Sequence, residues 1–187
     1  MRKFIKGYVL SETIERQGLI HVYSGPGKGK TTASLGLALR ACGHGWTVLM
    51  ICFMKGDPNY GEVKSAKEIN NFTIVQSGLP TFVKKGDPSE KDKNLAKEGL
   101  LLAQSALRKN THDLLILDEI NVAVDYGLIG LEDVLQLINM KPKEMELVLT
   151  GRSAHPEIVR KADIVSEILM VKHPFEKGIT NREGIDF

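Results

Sequence analysis

The chain has little cysteine, almost no excess of one charge and no apolar run long enough to cross a membrane, and each shortage narrows what it does. Cys42 and Cys52 are its only cysteines; both sit in apolar stretches without metal-type spacing. With no signal-peptide pattern, they point to a reduced, cytoplasmic protein away from the membrane. Lys and Arg number 25 against 23 Asp and Glu, a net charge of +2. That balance gives no reason to expect nucleic acid or an acidic membrane as partner, and any cationic surface must be local. His21, His44, His112, His155 and His173 are scattered, with no partner at zinc spacing.

What is present fits one buried core. A chain of 187 residues, 42% hydrophobic, is long enough for one domain over 1–187 and too short to argue for two. Residues 1–18 carry mixed charge and little periodicity, so they are expected to form an N-terminal arm or lid. Short aliphatic runs at Leu19–Ser24, Thr47–Phe53, Phe72–Gln76, Leu114–Leu117, Glu146–Thr150 and Ile164–Val171 read as strands. Most are continuously apolar, as strands buried on both faces are. Between them, helical spacing predicts helices over Thr31–Cys42, from Asp87 as cap and Pro88 as first residue to about Lys109, over Leu131–Met140, and from Pro156 to about Ala162. The alternation predicts an α/β fold in three layers, a mainly parallel sheet with helices on both faces.

The strongest motif is Ser24-Gly25-Pro26-Gly27-Lys28-Gly29-Lys30-Thr31-Thr32, which follows an apolar strand and opens a helix. Glycines let successive N–H groups turn toward phosphate oxygens, and the helix N-terminus adds partial positive charge. Lys30 then reaches the outer phosphates and the Thr31 hydroxyl can ligate magnesium. Ser24 stands where the common pattern has glycine. A glycine-rich turn that merely joins strand to helix is the plain alternative, and the lysine, the threonine and the flanking elements argue against it. Lys28 reads equally well as a phosphate contact or as solvated surface. A second motif, Leu114-Leu115-Ile116-Leu117-Asp118-Glu119, ends an apolar strand in two acids, where phosphate-loop proteins hold magnesium directly or through water. A third, Thr150-Gly151-Arg152, puts an arginine on the same carboxyl edge of the sheet. There it can grip a phosphate with two parallel bonds or simply close a surface loop.

These residues resemble the ATP:corrinoid adenosyltransferase family, also called cob(I)yrinic acid a,c-diamide adenosyltransferases. The matching segments are GPGKGKTT with the following RACGHG, FMKGDPNYGE, LDEI, LTGR, and the C-terminal VKHPF and GIDF, spanning about Leu19 to Phe187. The family's loop also lacks the first glycine. The resemblance implies a recombinase-like P-loop nucleotide-binding fold, usually dimeric, with the triphosphate of ATP in the loop and the nucleotide in an unusual orientation. Carried over by position, Gly25, Pro26, Gly27, Lys28, Gly29, Lys30, Thr31 and Thr32 cradle the phosphates, Thr31, Asp118 and Glu119 serve Mg2+ or Mn2+, and Arg152 holds the triphosphate. Arg40 and His44 line the nucleotide site. The implied reaction moves the 5′-deoxyadenosyl group of ATP to cobalt(I) of a cobalamin or its precursor and releases triphosphate. Lys30 and Arg152 assist, and a flavoprotein or other reductase supplies electrons.

One segment departs from the family. Where some members place a Phe and a Trp after a glycine to displace the lower cobalt ligand, this chain has Gly78-Leu79-Pro80-Thr81-Phe82. Phe82 is the candidate for that role with Leu79 as a second, and a core phenylalanine is the alternative. The phosphate loop and the LDEI strand alone also permit a P-loop ATPase or a small-molecule kinase, although no acceptor site with its own base is evident. A non-catalytic nucleotide or corrinoid carrier is the remaining reading.

Overall fold

The computed structural model describes residues 16–187 and, before them, the antiparallel backbone pairing of Phe4–Ile5 (β1) with Tyr8–Val9 (β2). Apart from that pairing and residues 16–18, the expected arm or lid lies outside the described residues. The main sheet contains Ile20–Ser24 (β3), Val48–Phe53 (β4), Phe72–Ser77 (β5), Leu114–Asp118 (β6), Glu146–Thr150 (β7) and Ile164–Glu167 (β8). All neighbours pair in parallel, in the order β5-β4-β6-β7-β3-β8.

Side chains alternate across a strand, so every apolar run feeds both faces. Val48, Met50 and Cys52 of β4, with Leu114 and Ile116 of β6, pack under Lys30–Gly43 (α1) and Gly61–Ala66 (α2). Leu49, Ile51, Phe53, Leu115 and Leu117 face the other way. They pack against Glu90–Lys109 (α3), Ile120–Asp125 (α4), Leu131–Asn139 (α5) and Pro156–Lys161 (α6). Three layers follow. Strands β4 and β6 are buried along their whole length, and truncating one of their leucines to alanine is expected to cost about 2–5 kcal/mol.

Several boundaries differ from the sequence expectation. Helix α3 is capped by Ser89 rather than Asp87. The Ser89 side chain accepts from the Asp92 N–H while Asp92 accepts from the Ser89 N–H, and this reciprocal box satisfies two donors that a start at Pro88 would leave open. The run Ile164–Val171 pairs only as far as Glu167, and β8 is an edge strand with all four residues exposed, so an apolar run there did not mean burial on both faces. Helices α2 and α4, six residues each, are too short to carry a periodic signal.

Parallel strands bring all their carboxyl ends to one edge. Strand β7 lies between β3, which feeds the phosphate loop, and β6, which ends in Asp118. The acid is therefore one strand removed from the loop, and the end of β7 sits between the two.

Candidate active site

The loop at 24–30 is shaped by close contact with the chain that follows β8. Gly25 has φ +94°, and a Cβ there would come within 2.5 Å of the Ile168 carbonyl oxygen, so only glycine fits. The Gly27 N–H donates to Ile168 O at 2.7 Å, and the Ser24 hydroxyl accepts from the Ala154 N–H at 3.2 Å. Serine in place of the usual glycine thus ties β3 to the loop after β7. Lys30, only 6% exposed, turns back into the loop and donates to Gly25 O at 2.8 Å and Gly27 O at 2.7 Å. Burial pushes its ammonium below the usual lysine range, with Glu119 opposing and Arg152 adding to the shift. An ammonium held in a cradle of bent backbone at a helix N-terminus is arranged for an anion with several oxygens.

Across from the loop, Asp118 is fully buried. Thr150 at the end of β7 donates to its Oδ1 at 2.7 Å, and the Thr150 hydroxyl accepts from the Glu119 N–H at 3.0 Å. Glu119 follows with φ +61°, a left-handed conformation uncommon for a glutamate and found where structure holds a side chain in place. Burial raises its carboxyl above the usual range, helped by the Asp118 charge and opposed by Lys55, Lys30 and Arg152.

Lys55, from the FMKG segment after β4, was not singled out from sequence. Its Nζ donates to Asp118 Oδ2 at 2.6 Å and lies 3.4 Å from the Thr31 hydroxyl. Burial would lower this ammonium, but the charge and hydrogen bond of Asp118 outweigh it and raise it. The backbone is set on either side: Met54 has φ +60°, and a Cβ on Gly78 would come within 2.5 Å of the Lys55 nitrogen. The signals for it in the sequence are its place in the family-matching FMKGDPNYGE segment and its position just past the end of an apolar strand on the ligand edge.

The same oxygens suit a divalent ion. A cation, the Lys55 ammonium, already lies between Thr31 Oγ1 and Asp118 Oδ2. Among the described residues no three His, Cys, Asp or Glu gather for a metal, so an ion alone would be held weakly by Thr31 and Asp118, and the phosphates of a ligand would complete its shell. That division is characteristic of Mg2+.

The remaining candidates are placed unequally. Arg152 is exposed and lines a cleft of about 330 Å3 with Gly25, Pro26, Ser153 and Glu167, beside the loop. Lys28 pairs with Asp186 and donates to the Ile185 carbonyl at 3.3 Å, so the C-terminal GIDF segment lies over the loop. There Lys28 and the Arg182 N–H hold the Asp186 carboxyl well below the usual range. Thr32 is exposed on the first turn of α1. Arg40 and His44 are not brought to the loop: both are exposed at the far end of α1, and Arg40 lies about 15 Å along the helix from Lys30. Phe82 is 98% exposed, which removes the core reading, while Leu79 is half-buried. A cleft of similar size, about 340 Å3, opens near Asp113 on the opposite edge, but Arg16 and Thr47 already occupy that carboxylate.

Known proteins resemble the chain in family and in fold. The sequence model of the ATP:corrinoid adenosyltransferase BtuR/CobO/CobP family matches residues 16–187. A corrinoid adenosyltransferase of Escherichia coli K12 is 35% identical over 179 residues, covering 95% of this chain and 90% of that one. Its counterpart in Pseudomonas aeruginosa is 31% identical over 189 residues, covering 100% and 92%. Among solved structures, a KaiC-like protein of Pyrococcus horikoshii OT3 superposes with a TM-score of 0.56 at 14% identity, over 82% of this chain and 72% of that one. That likeness bears on the fold, a three-layer α/β P-loop architecture.

Proposed function

The chain belongs to the ATP:corrinoid adenosyltransferase family, and from that membership we propose that it binds Mg2+–ATP with the triphosphate in the 24–32 loop and transfers the adenosyl group to a reduced corrinoid. The observation that carries this reading is the buried Lys30 ammonium in a cradle of loop carbonyls, next to Thr31, whose hydroxyl is bridged to Asp118 by the Lys55 ammonium. Cobalt(I) of the corrinoid attacks the 5′ carbon of ATP, the carbon–oxygen bond breaks, and the electron pair leaves with the triphosphate. No side chain need be the nucleophile. Lys30 and Arg152 bind the leaving group and are worth most as its charge grows in the transition state. Thr31 and Asp118, with Glu119 beside them, would hold Mg2+ or Mn2+, which neutralises phosphate charge.

Phe82 takes the role of excluding the lower cobalt ligand, supported by its position in an exposed loop past the carboxyl end of β5. A reductase is its natural companion, because removing that ligand eases reduction to cobalt(I). The apolar edge at Val165, Leu169 and Val171 supports a homodimer, and the free thiols Cys42 and Cys52 suit the cytoplasm. Among the described residues no helix is long and apolar enough to cross a membrane. Phosphorus NMR of the reaction with chemically reduced cobalamin tests the chemistry. Triphosphate in one piece is expected, because attack at carbon leaves all three phosphates joined, and ADP with orthophosphate at the rate of corrinoid consumption would replace transfer with hydrolysis.

A further inference from the structure

Among the described residues, the Lys55 ammonium touches both oxygens expected to serve a metal, Asp118 Oδ2 at 2.6 Å and Thr31 Oγ1 at 3.4 Å. We propose that Lys55 is a built-in cation that holds the metal position in the nucleotide-free protein and swings onto the triphosphate when Mg2+–ATP arrives. The inference rests on the reading that the triphosphate sits in the loop.

The argument is one of charge and reach. A divalent ion and an ammonium cannot share Asp118 Oδ2 at bonding distance, because like charges a few ångströms apart in a poorly solvated site repel strongly. On metal entry Lys55 must find another anion, and with nucleotide bound the triphosphate beside Lys30 brings far more negative charge to this edge than the single Glu119 carboxylate that already acts on Lys55. The four-carbon stem and three donors of a lysine permit that swing, while its backbone is held by Met54 at φ +60° and by the close approach of Gly78. A left-handed non-glycine residue next to a lysine packed on a glycine is local strain of the kind that aims a side chain at a site. Asp118, buried, thereby keeps a partner at every stage: Lys55 in the free protein and the metal in the complex, with Thr150 on Oδ1 throughout.

Two binding measurements, neither of them turnover, test the exchange. Mn2+ alone, followed by electron paramagnetic resonance, is expected to bind Lys55→Met at least about 10-fold tighter than wild type because the resident cation is gone; unchanged affinity would overturn the proposal. Lys55→Met leaves a buried carboxylate unpaired and is at risk of misfolding, so the second measurement uses variants that avoid this. Inorganic tripolyphosphate without metal, titrated calorimetrically, is expected to bind Asp118→Asn at least about 10-fold tighter than the double variant Lys55→Met/Asp118→Asn, since only the first has a released ammonium. Equal affinities in these two would equally overturn it. Lys30→Ala separates the layers: undiminished tripolyphosphate binding by that variant would show that the triphosphate lies elsewhere, whatever Lys55 does.

Discussion

The two edges of this one sheet use the same residue types for opposite ends. At the amino edge Asp113, Glu146, Asp163 and Lys141 close the backbone where strands begin. Asp113 accepts from Arg16, the Thr47 N–H and the Thr47 hydroxyl, Glu146 accepts from the Leu19 N–H and meets His21, and Asp163 accepts from the Ile20 N–H. Lys141 donates to three carbonyls there, and the Arg16 guanidinium lies over the Trp46 ring at 3.7 Å. At the carboxyl edge the charges hold one another or loop carbonyls in arrangements that a ligand would take over. Of the four described non-glycine residues with positive φ, three (Met54, Glu119 and Ser153) lie there, each just after a strand end, and the fourth, Asn110, only ends α3. Strain concentrated at one edge and satisfaction at the other is what a fold shows when it is stabilised from one side and works from the other.

Lys30 puts the division between the two edges to the most severe test. Lys30→Ala is expected to lower kcat/KM by at least about 10-fold to 150-fold, since a hydrogen bond to a charged group contributes roughly 1.5–3 kcal/mol. Its thermal stability should stay near wild type, because the lysine's partners are carbonyls of the loop itself. Steady-state kinetics and a melting curve on one preparation check both halves. A large stability loss with little kinetic loss would make this edge structural like the other.

Thr150→Val sharpens the picture with a smaller effect. Valine keeps the shape but removes the donor to Asp118 Oδ1 and the acceptor of the Glu119 N–H. A buried group left unpaired costs about 1–3 kcal/mol, and here the loss should divide between stability and function. We expect roughly 10-fold weaker Mn2+-dependent nucleotide binding together with a lower melting temperature. Loss of stability alone, with nucleotide binding intact, would mean that Thr150 merely fills the end of β7.

Much of this contrast was legible in the sequence where chemistry is written in neighbouring residues. The loop from Ser24 to Thr32 and the acids Asp118 and Glu119 are contiguous, and the strands that carry them are apolar runs that any central strand requires. Lys55 and Thr150 were not legible as partners of Asp118, because their roles exist only once β4, β6 and β7 lie side by side. Strand β8 shows the converse: its apolar run suggested burial, yet an edge strand leaves it exposed, and the exposure of Phe82 in a loop past a strand end sets aside the core alternative for that residue. Arg40 and His44 follow the loop closely in sequence, but helix α1 carries them away from it.

The smallest expected effect tests the amino edge on its own terms. Burial would raise the Asp113 carboxyl, but the Thr47 N–H, Arg16 and the Thr47 hydroxyl outweigh it and hold it below its ordinary 3.8. A carboxylate whose folded pKa is depressed contributes stability that is present above the unfolded value and is lost as pH falls through the folded one. Asp113→Asn should therefore be less stable than wild type at pH 7, and the gap should close as the buffer is taken below pH 3.8. The side chains of Arg16 and Asp113 are 36% and 32% exposed, so screening limits the difference to about 1 kcal/mol, or about 2–4 °C in Tm for a chain of this size. Adenosyl transfer at 25 °C should stay within about twofold of wild type, because a loss of this size leaves nearly all of the protein folded. Melting curves across pH with a parallel turnover assay decide it. A gap that does not narrow in acid would assign the contribution to neutral hydrogen bonding, and a kinetic loss approaching that of Lys30→Ala would show that the two edges are coupled rather than divided in their work.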